Sequence, residues 1–491
     1  MTPHLPILIV LCPLAAALVV PLVARVSARA ARALTMLATL GSLVCAVAAL
    51  RVALSEGDWH YHLGGWAPPW GIEYVVDPLG GGMAVIVALL ATLVSVYAGP
   101  HVRGLSSLRG AAFDSLFLLL TTGLLGIALT GDLFNLYVFL EVSSLAAYAL
   151  LASGGDRAVV ATFRYALIGT IAASFYLLGL GYLYALTGTL NMADLAIQLQ
   201  AVPPGSAMTV GIVLLVVGLA IKMAVFPLHG WMPDAYTYAP PPVTMFIAAV
   251  MSKVSAYALV RVLFFVLPAG DTVETARAVL SWVAVGGVLA GSILALAQTD
   301  VRRMLVYSSV GQMGYIVLGL SIGNAAALTG ALLHVVGHAA AKGCLFGAIG
   351  SLPRQTVQAE ISGLAGAAHR APLAMAAFTI AALSLVGLPP TAGFFSKWYL
   401  LRGALDADAW LFAVVLLVSS LLGAVYFFRV LEQVYFVQAP SAPDTGVPSP
   451  ASPPSWRMVV PVLTLGAAVL LLGLFNGVLV SSVIQHALPE L

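Results

Sequence analysis

Ala220–Arg261, AIKMAVFPLHGWMPDAYTYAPPPVTMFIAAVMSKVSAYALVR, decides the reading of this chain. It places Lys222 and Lys253 inside apolar segments, with a Pro-, His- and Trp-rich break between them. The chain has two further lysines, Lys342 and Lys397, and both also sit in or at the edge of apolar runs. Basic residues in clear loops are arginines. A buried lysine can release its proton near neutral pH, and an arginine cannot. That division points to lysines that handle protons.

Outward from this stretch the chain is apolar almost throughout. Of 491 residues, 61% are hydrophobic and only 8% charged, against about 25% charged in soluble domains. Apolar runs of about 20 residues recur, each long enough to cross a hydrocarbon core. Only helices and closed barrels satisfy their backbone in lipid, and runs this long are helices. The expected fold is therefore all-α and polytopic, with about fourteen transmembrane helices.

The expected spans are 6–23, 33–54, 80–98, 113–130, 133–152, 160–186, 208–226, 243–266, 279–297, 304–322, 325–349, 371–388, 410–430 and 458–480. The first reads as a retained helix, since its arginines, Arg25, Arg29 and Arg32, follow it. Three tryptophans in the 55–77 loop suit a membrane interface. Residues 438–456 are Pro/Ser-rich and read as an exposed loop.

Arginine placement sets an expected orientation. Connections after odd-numbered spans hold Arg25, Arg29, Arg32, Arg103, Arg109, Arg157, Arg302, Arg303, Arg354, Arg370 and Arg457. Those after even-numbered spans hold Arg277 and Arg402, with Arg51 at a span edge. The positive-inside rule puts the first group in the cytoplasm and both termini on the outer side of a prokaryotic plasma membrane.

The breaks suggest an internal repeat. FPLHGWMPDAY follows the seventh span and LPPTAGFFSKWYL the twelfth. Each falls at the fourth member of a set of five spans, and an odd number per set inverts one against the other. Paired Pro/Gly interruptions in inverted halves point to a transport site. The expected organisation is an N-terminal three-helix segment (1–111), a first five-helix repeat (112–266), a second (277–432), the loop 438–456 and a last helix (457–491).

An ionisable group at bilayer depth costs roughly 2.5–3.5 kcal/mol on insertion scales, so such groups face the bundle interior. Glu141 is read as the only carboxylate well inside an apolar run, and its natural partner is Lys222. A purely structural ion pair is the alternative. Lys253 is mid-helix with no acid nearby and reads as a relay site. His334, His338 and Lys342 recur every four residues and share one helical stripe. HxxxH invites zinc, but a third ligand and an HExxH glutamate are missing, so no metal is expected. A water-and-proton wire fits better; for His334, hydrogen-bonded glue between helices remains open. Lys397 is a terminal relay residue or a snorkelling interfacial lysine. Asp132, Arg164, His229 and Asp234 lie near span ends, as candidates for shaping access or gating, or as structural caps. The three cysteines form no disulfide framework, and there is no phosphate loop or dinucleotide fingerprint, so no cofactor is expected.

The chain resembles the antiporter-like membrane subunits shared by Mrp-type Na+/H+ antiporters, respiratory complex I and membrane-bound hydrogenases. The stretches that carry this are GIEYVVDPL, LYVFLEVSSLAAYALL, LTGTLNMADL, IKMAVFPLHGWMPDAYTYAPPPV, SKVSAYALVR, QTDVRRMLVYSSVGQMGYIVLG, HVVGHAAAKGCLF and LSLVGLPPTAGFFSKW. The resemblance implies fourteen helices with two inverted five-helix repeats. It places Glu141 and Lys222 as the family's ion pair, Lys253 as its central lysine, His334 and His338 as its eleventh-helix histidines and Lys397 as its twelfth-helix residue. It implies a chain of protonatable groups and water across the membrane middle, with H+ and Na+ as ions, other membrane subunits as partners and no nucleic acid. Length and these residues are most like the D-type member of the Mrp antiporters, with an N-type complex I or hydrogenase subunit as the alternative. Arg164 stands where many relatives have lysine, and arginine cannot release its proton.

Overall fold

A computed structural model describes residues 4–352, 360–438 and 454–489. Most of the 438–456 connection, and Arg354, lie outside these.

Helix starts are set by residues the sequence supplies for the purpose. Asp77, Asp132, Asp300 and Asn324 each accept a backbone N–H of the first helical turn, as N-caps do. The membrane helices are α1 (Leu5–Ala24), α2 (Ala28–Glu56), α3 (Pro78–Tyr97), α4 (Ser107–Leu129), α5 (Leu133–Ala152), α6 (Asp156–Thr187) and α7 (Ser206–Met223). Then follow α8 (Pro241–Val260), α9 (Asp271–Leu296), α10 (Val301–Ile322), α11 (Ala325–Ser351), α12 (Pro372–Val386), α13 (Trp410–Tyr435) and α14 (Trp456–Leu474). Among the described residues thirteen helices are long and apolar enough to cross a membrane. The fourteenth, α12, has 15 residues and rises only about 22 Å. The half-helix Ala392–Asp406 follows it after a break.

The molecule is layered by burial. Every residue in the most apolar window of α8 and its continuation to Val266 is buried, as is 89% of α10 and α11. In α2 the figure is 33%. The three most enclosed helices therefore carry Lys253, His334, His338 and Lys342, while α1, α2, α5, α6, α13 and α14 form the outside.

Both expected breaks exist. α7 ends when Ala224 turns left-handed (φ 57°), and the short helix Met232–Tyr238 resumes the path. α12 ends at Gly387 (φ 96°), a conformation glycine adopts without strain. At Gly393 an added Cβ would lie 1.8 Å from the Ser384 carbonyl, so only glycine lets the half-helix start this close to α12.

Two expectations need correction. The 55–77 loop is not irregular: β1 (Trp59–His62) pairs antiparallel with β2 (Glu73–Val76). Bridges join Tyr74 to Thr130 and Asp132 to Asn191, so the hairpin, the α4–α5 turn and the segment after α6 cap one end. Glu141 is not the only deep carboxylate. Asp114 in α4 is buried and paired with Arg32 of α2, and Arg32 lies in a helix, not in a connection.

Candidate functional site

The first cluster forms where α7 stops. Lys222, one residue before the helix end, points at α5. There Glu141 and Ser144, three residues apart, share a face. Lys222 Nζ donates to Glu141 Oε1 at 3.2 Å and to Ser144 Oγ at 2.8 Å. The partners differ in environment: the lysine side chain is 3% exposed and the carboxylate 28%. The carbonyl of Ile221 accepts both the Ala224 N–H of the turn and Trp231 Nε1, each at 3.0 Å.

Lys253 sits midway along α8 with zero exposure. Its ammonium donates to the Ala248 carbonyl of its own helix, and the described ion pairs give it no carboxylate partner.

On α11 the stripe forms as its spacing predicts. His334 Nδ1 bonds Ser396 Oγ at 2.9 Å, and its ring stacks on Tyr315 at 5.5 Å. The rings of His334 and His338 lie 5.7 Å apart. Lys342 Nζ donates to Leu305 O at 2.7 Å and Ser308 Oγ at 3.0 Å, and the Tyr426 hydroxyl also reaches Ser308. Among the described residues no three His, Cys, Asp or Glu side chains gather as a metal ion would need.

Lys397 closes the row. From the half-helix it reaches back across the break to Leu385 O (2.7 Å), Val386 O (3.1 Å) and Ser420 Oγ (3.0 Å). It also lies 4.8 Å from the Tyr315 ring. These bonds hold it to the break, so it does not snorkel to an interface.

The four remaining candidates divide. Asp234, in the short helix, meets Arg164 of α6 at 3.4 Å and Arg303 of α10 at 3.2 Å, joining elements of the two halves. Asp132 caps α5 through Asn135 N at 2.6 Å. Burial pushes its carboxyl up, against the backbone N–H groups that hold it down. His229 packs on Phe226 and Tyr307 in the break. Asp132 and His229 thus lie apart from the other candidates.

Sequence reasoning misses the buried pair Arg261–Asp77. Arg261 Nε also donates to Tyr257 OH at 2.8 Å, and Tyr257 OH donates to Ala128 O at 2.7 Å. The Asp-Pro start of α3 signals a cap, but nothing in the sequence tells which distant cation it binds.

Six nitrogen groups and one carboxylate thus lie in separate hydrogen-bonded clusters, each closed by hydroxyls or carbonyls, and His338 has no hydrogen-bond partner among the described residues. Lysine, histidine and carboxylate each exist in two protonation states, and hydroxyls both donate and accept. Each of these groups can therefore hold or release a proton.

Comparison with known proteins fits this geometry. The family described as NADH:quinone oxidoreductase/Mrp antiporter, TM, matches residues 130–423. NADH-quinone oxidoreductase subunit N of Desulforudis audaxviator (strain MP104C) is 54% identical over 100% of this chain and 99% of its own. The D-type subunit of the Na(+)/H(+) antiporter of Bacillus subtilis (strain 168) is 31% identical, covering 87% of this chain and 84% of its own. A chain of the membrane-bound sulfane sulfur reductase, an archaeal respiratory membrane complex, superposes with TM-score 0.90 at 30% identity, over 99% of this chain and 97% of that one.

Proposed function

We propose that this chain, which belongs to the NADH:quinone oxidoreductase/Mrp antiporter transmembrane family, is the N-type proton-translocating subunit of a redox-driven membrane complex. The observation that carries the reading is the full-length likeness to a subunit N at 54% identity. It reverses the preference for a D-type antiporter subunit that the motifs suggest, since the D-type antiporter relative stands at 31%. A subunit of a Na+/H+ antiporter is the second reading, favoured by relatives of that kind.

In this reading protons move along Glu141, Lys222, Lys253, His334, His338, Lys342 and Lys397. A proton reaching Glu141 weakens its hold on Lys222. The change in field passes through Lys253 to the α11 stripe and ends at Lys397. Asp234, bound to Arg164 and Arg303, gates access by coupling the halves. The halves are the inverted repeats 112–266 and 277–432. Both termini face outward from a prokaryotic plasma membrane, other membrane subunits supply the redox centres, and this chain needs no cofactor of its own.

The test is proton uptake by inverted vesicles carrying the whole complex, wild type against Lys222→Ala. NADH-driven uptake that falls at least tenfold in the variant is the expected result. Uptake that ignores NADH but follows a Na+ gradient would move the chain to the antiporter reading. Lys222→Ala transporting at the wild-type rate would remove the relay.

A further inference from the structure

α10 and α11 run antiparallel, and their contacts fix a register. At one level Lys342 reaches Leu305 O and Ser308 Oγ. Two turns along, His334 stacks on Tyr315. As α11 runs back from 342 to 334, α10 runs forward from 308 to 315. The level between them belongs to His338 on α11 and Gln312 on α10. Each lies on the stripe of its flanking partners: 334, 338 and 342 recur by four, and 308, 312 and 315 by four and three. The other side of α10 is occupied by α9. Gly311 lies against Gly291, and a Cβ on Gly314 would strike Val288 at 2.8 Å. Gln312 therefore projects away from α9.

Hydrogen bonding at this level is incomplete. Gln312 is 4% exposed and His338 1%. Among the described residues, Gln312 Oε1, both ring nitrogens of His338 and Nε2 of His334 have no hydrogen-bond partner. One turn to either side, His334 Nδ1 bonds Ser396 Oγ of the half-helix, and Lys342 donates to Leu305 O and Ser308 Oγ of α10. Buried polar atoms are rarely left unpaired, and a buried water with two to four partners is the usual remedy.

We propose that Gln312 and His338 hold water between them, and that Gln312 is a positioning residue that orients it so His338 can connect the Lys342 and Lys397 sites. This rests on the relay reading above. The water donates one hydrogen to Gln312 Oε1, which leaves its oxygen lone pairs and second hydrogen for His338. A proton arriving on one ring nitrogen makes the ring cationic. Loss of the proton on the other nitrogen to the next water or side chain returns it neutral, in the opposite tautomer. The Gln312 amide exchanges no proton.

The test uses the assembled complex with Gln312→Met, which keeps length without an oxygen, and Gln312→Asn, which keeps the amide and leaves room for a second water. Lys253→Met is the control for the relay itself. Proton translocation and redox turnover are measured, and the wild type is imaged at about 2 Å so that water is resolved. The expected results are water density touching both side chains, at least a threefold loss of translocation in Gln312→Met, and recovery of at least half by Gln312→Asn. A direct Gln312–His338 contact with no water overturns the proposal, whether or not the variants assemble. So does wild-type translocation by Gln312→Met while Lys253→Met is impaired. Wild-type translocation by Lys253→Met removes the relay reading instead, and the map alone then decides whether water is held here.

Discussion

The two broken helices meet the same physical demand by opposite means. Breaking a helix at membrane depth frees carbonyls that lipid cannot satisfy. At the first break the Ile221 carbonyl is shared by neutral donors, the Ala224 N–H and the Trp231 indole, and Lys222 is left to bind a carboxylate. At the second the lysine does the capping: Lys397 takes the carbonyls of Leu385 and Val386, and among the described ion pairs no carboxylate is joined to it. Both lysines also donate to a serine, Ser144 and Ser420 respectively. One lysine is thus held by charge, the other by backbone. The first can be released by protonating its partner, whereas the second is bound to groups that never titrate.

The sharpest way to break this comparison is at the glycine behind the second break. Gly393→Ala places a Cβ against the Ser384 carbonyl, with backbone on both sides. The expected outcome is loss of stable, assembled protein, read by the yield of complex in detergent. Next in size is Lys397→Met, which leaves two buried carbonyls without partners at about 1–3 kcal/mol each. Its melting temperature should fall by several degrees, and translocation should fall with it. Glu141→Gln should separate the halves: translocation drops at least tenfold, while thermal stability changes little because the carboxylate is part-exposed and both the Gln oxygen and Ser144 can still accept from Lys222. Equal melting temperatures for Lys397→Met and Glu141→Gln would erase the distinction drawn here. The smallest effect is expected from Asp132→Asn, which keeps a capping oxygen and should leave translocation within twofold of wild type.

Much of this is legible in the chain because its groups declare themselves against an apolar background. Four lysines in hydrophobic runs, HVVGHAAAK at a spacing of four, and two Pro/Gly interruptions need no partner to be noticed. Glu141 and Lys222 can even be paired, since few ions compete. The features that escape are choices made at long range. Arg32 binds Asp114, and Arg261 binds Asp77 184 positions away. In the sequence Arg32 resembles a loop arginine, and Arg261, inside the eighth expected span, shows no partner. The hairpin is hidden because WHYH and EYVV are too short to show alternation beside so many aromatics. Gln312 cannot be singled out at all, since its interest lies in what it lacks.

The anchoring of Arg261 bears on how the molecule can move. It closes the end of α8 against Asp77 at the start of α3 and against Tyr257, which is itself held to α4. At its other end α8 begins on consecutive prolines, and it is enclosed along its whole length. Sliding such a helix would sever a buried ion pair, at about 3–5 kcal/mol. α8 is therefore a fixed post and not a piston. Whatever crosses the middle of the protein must travel in side chains, protons and water around a stationary Lys253 backbone.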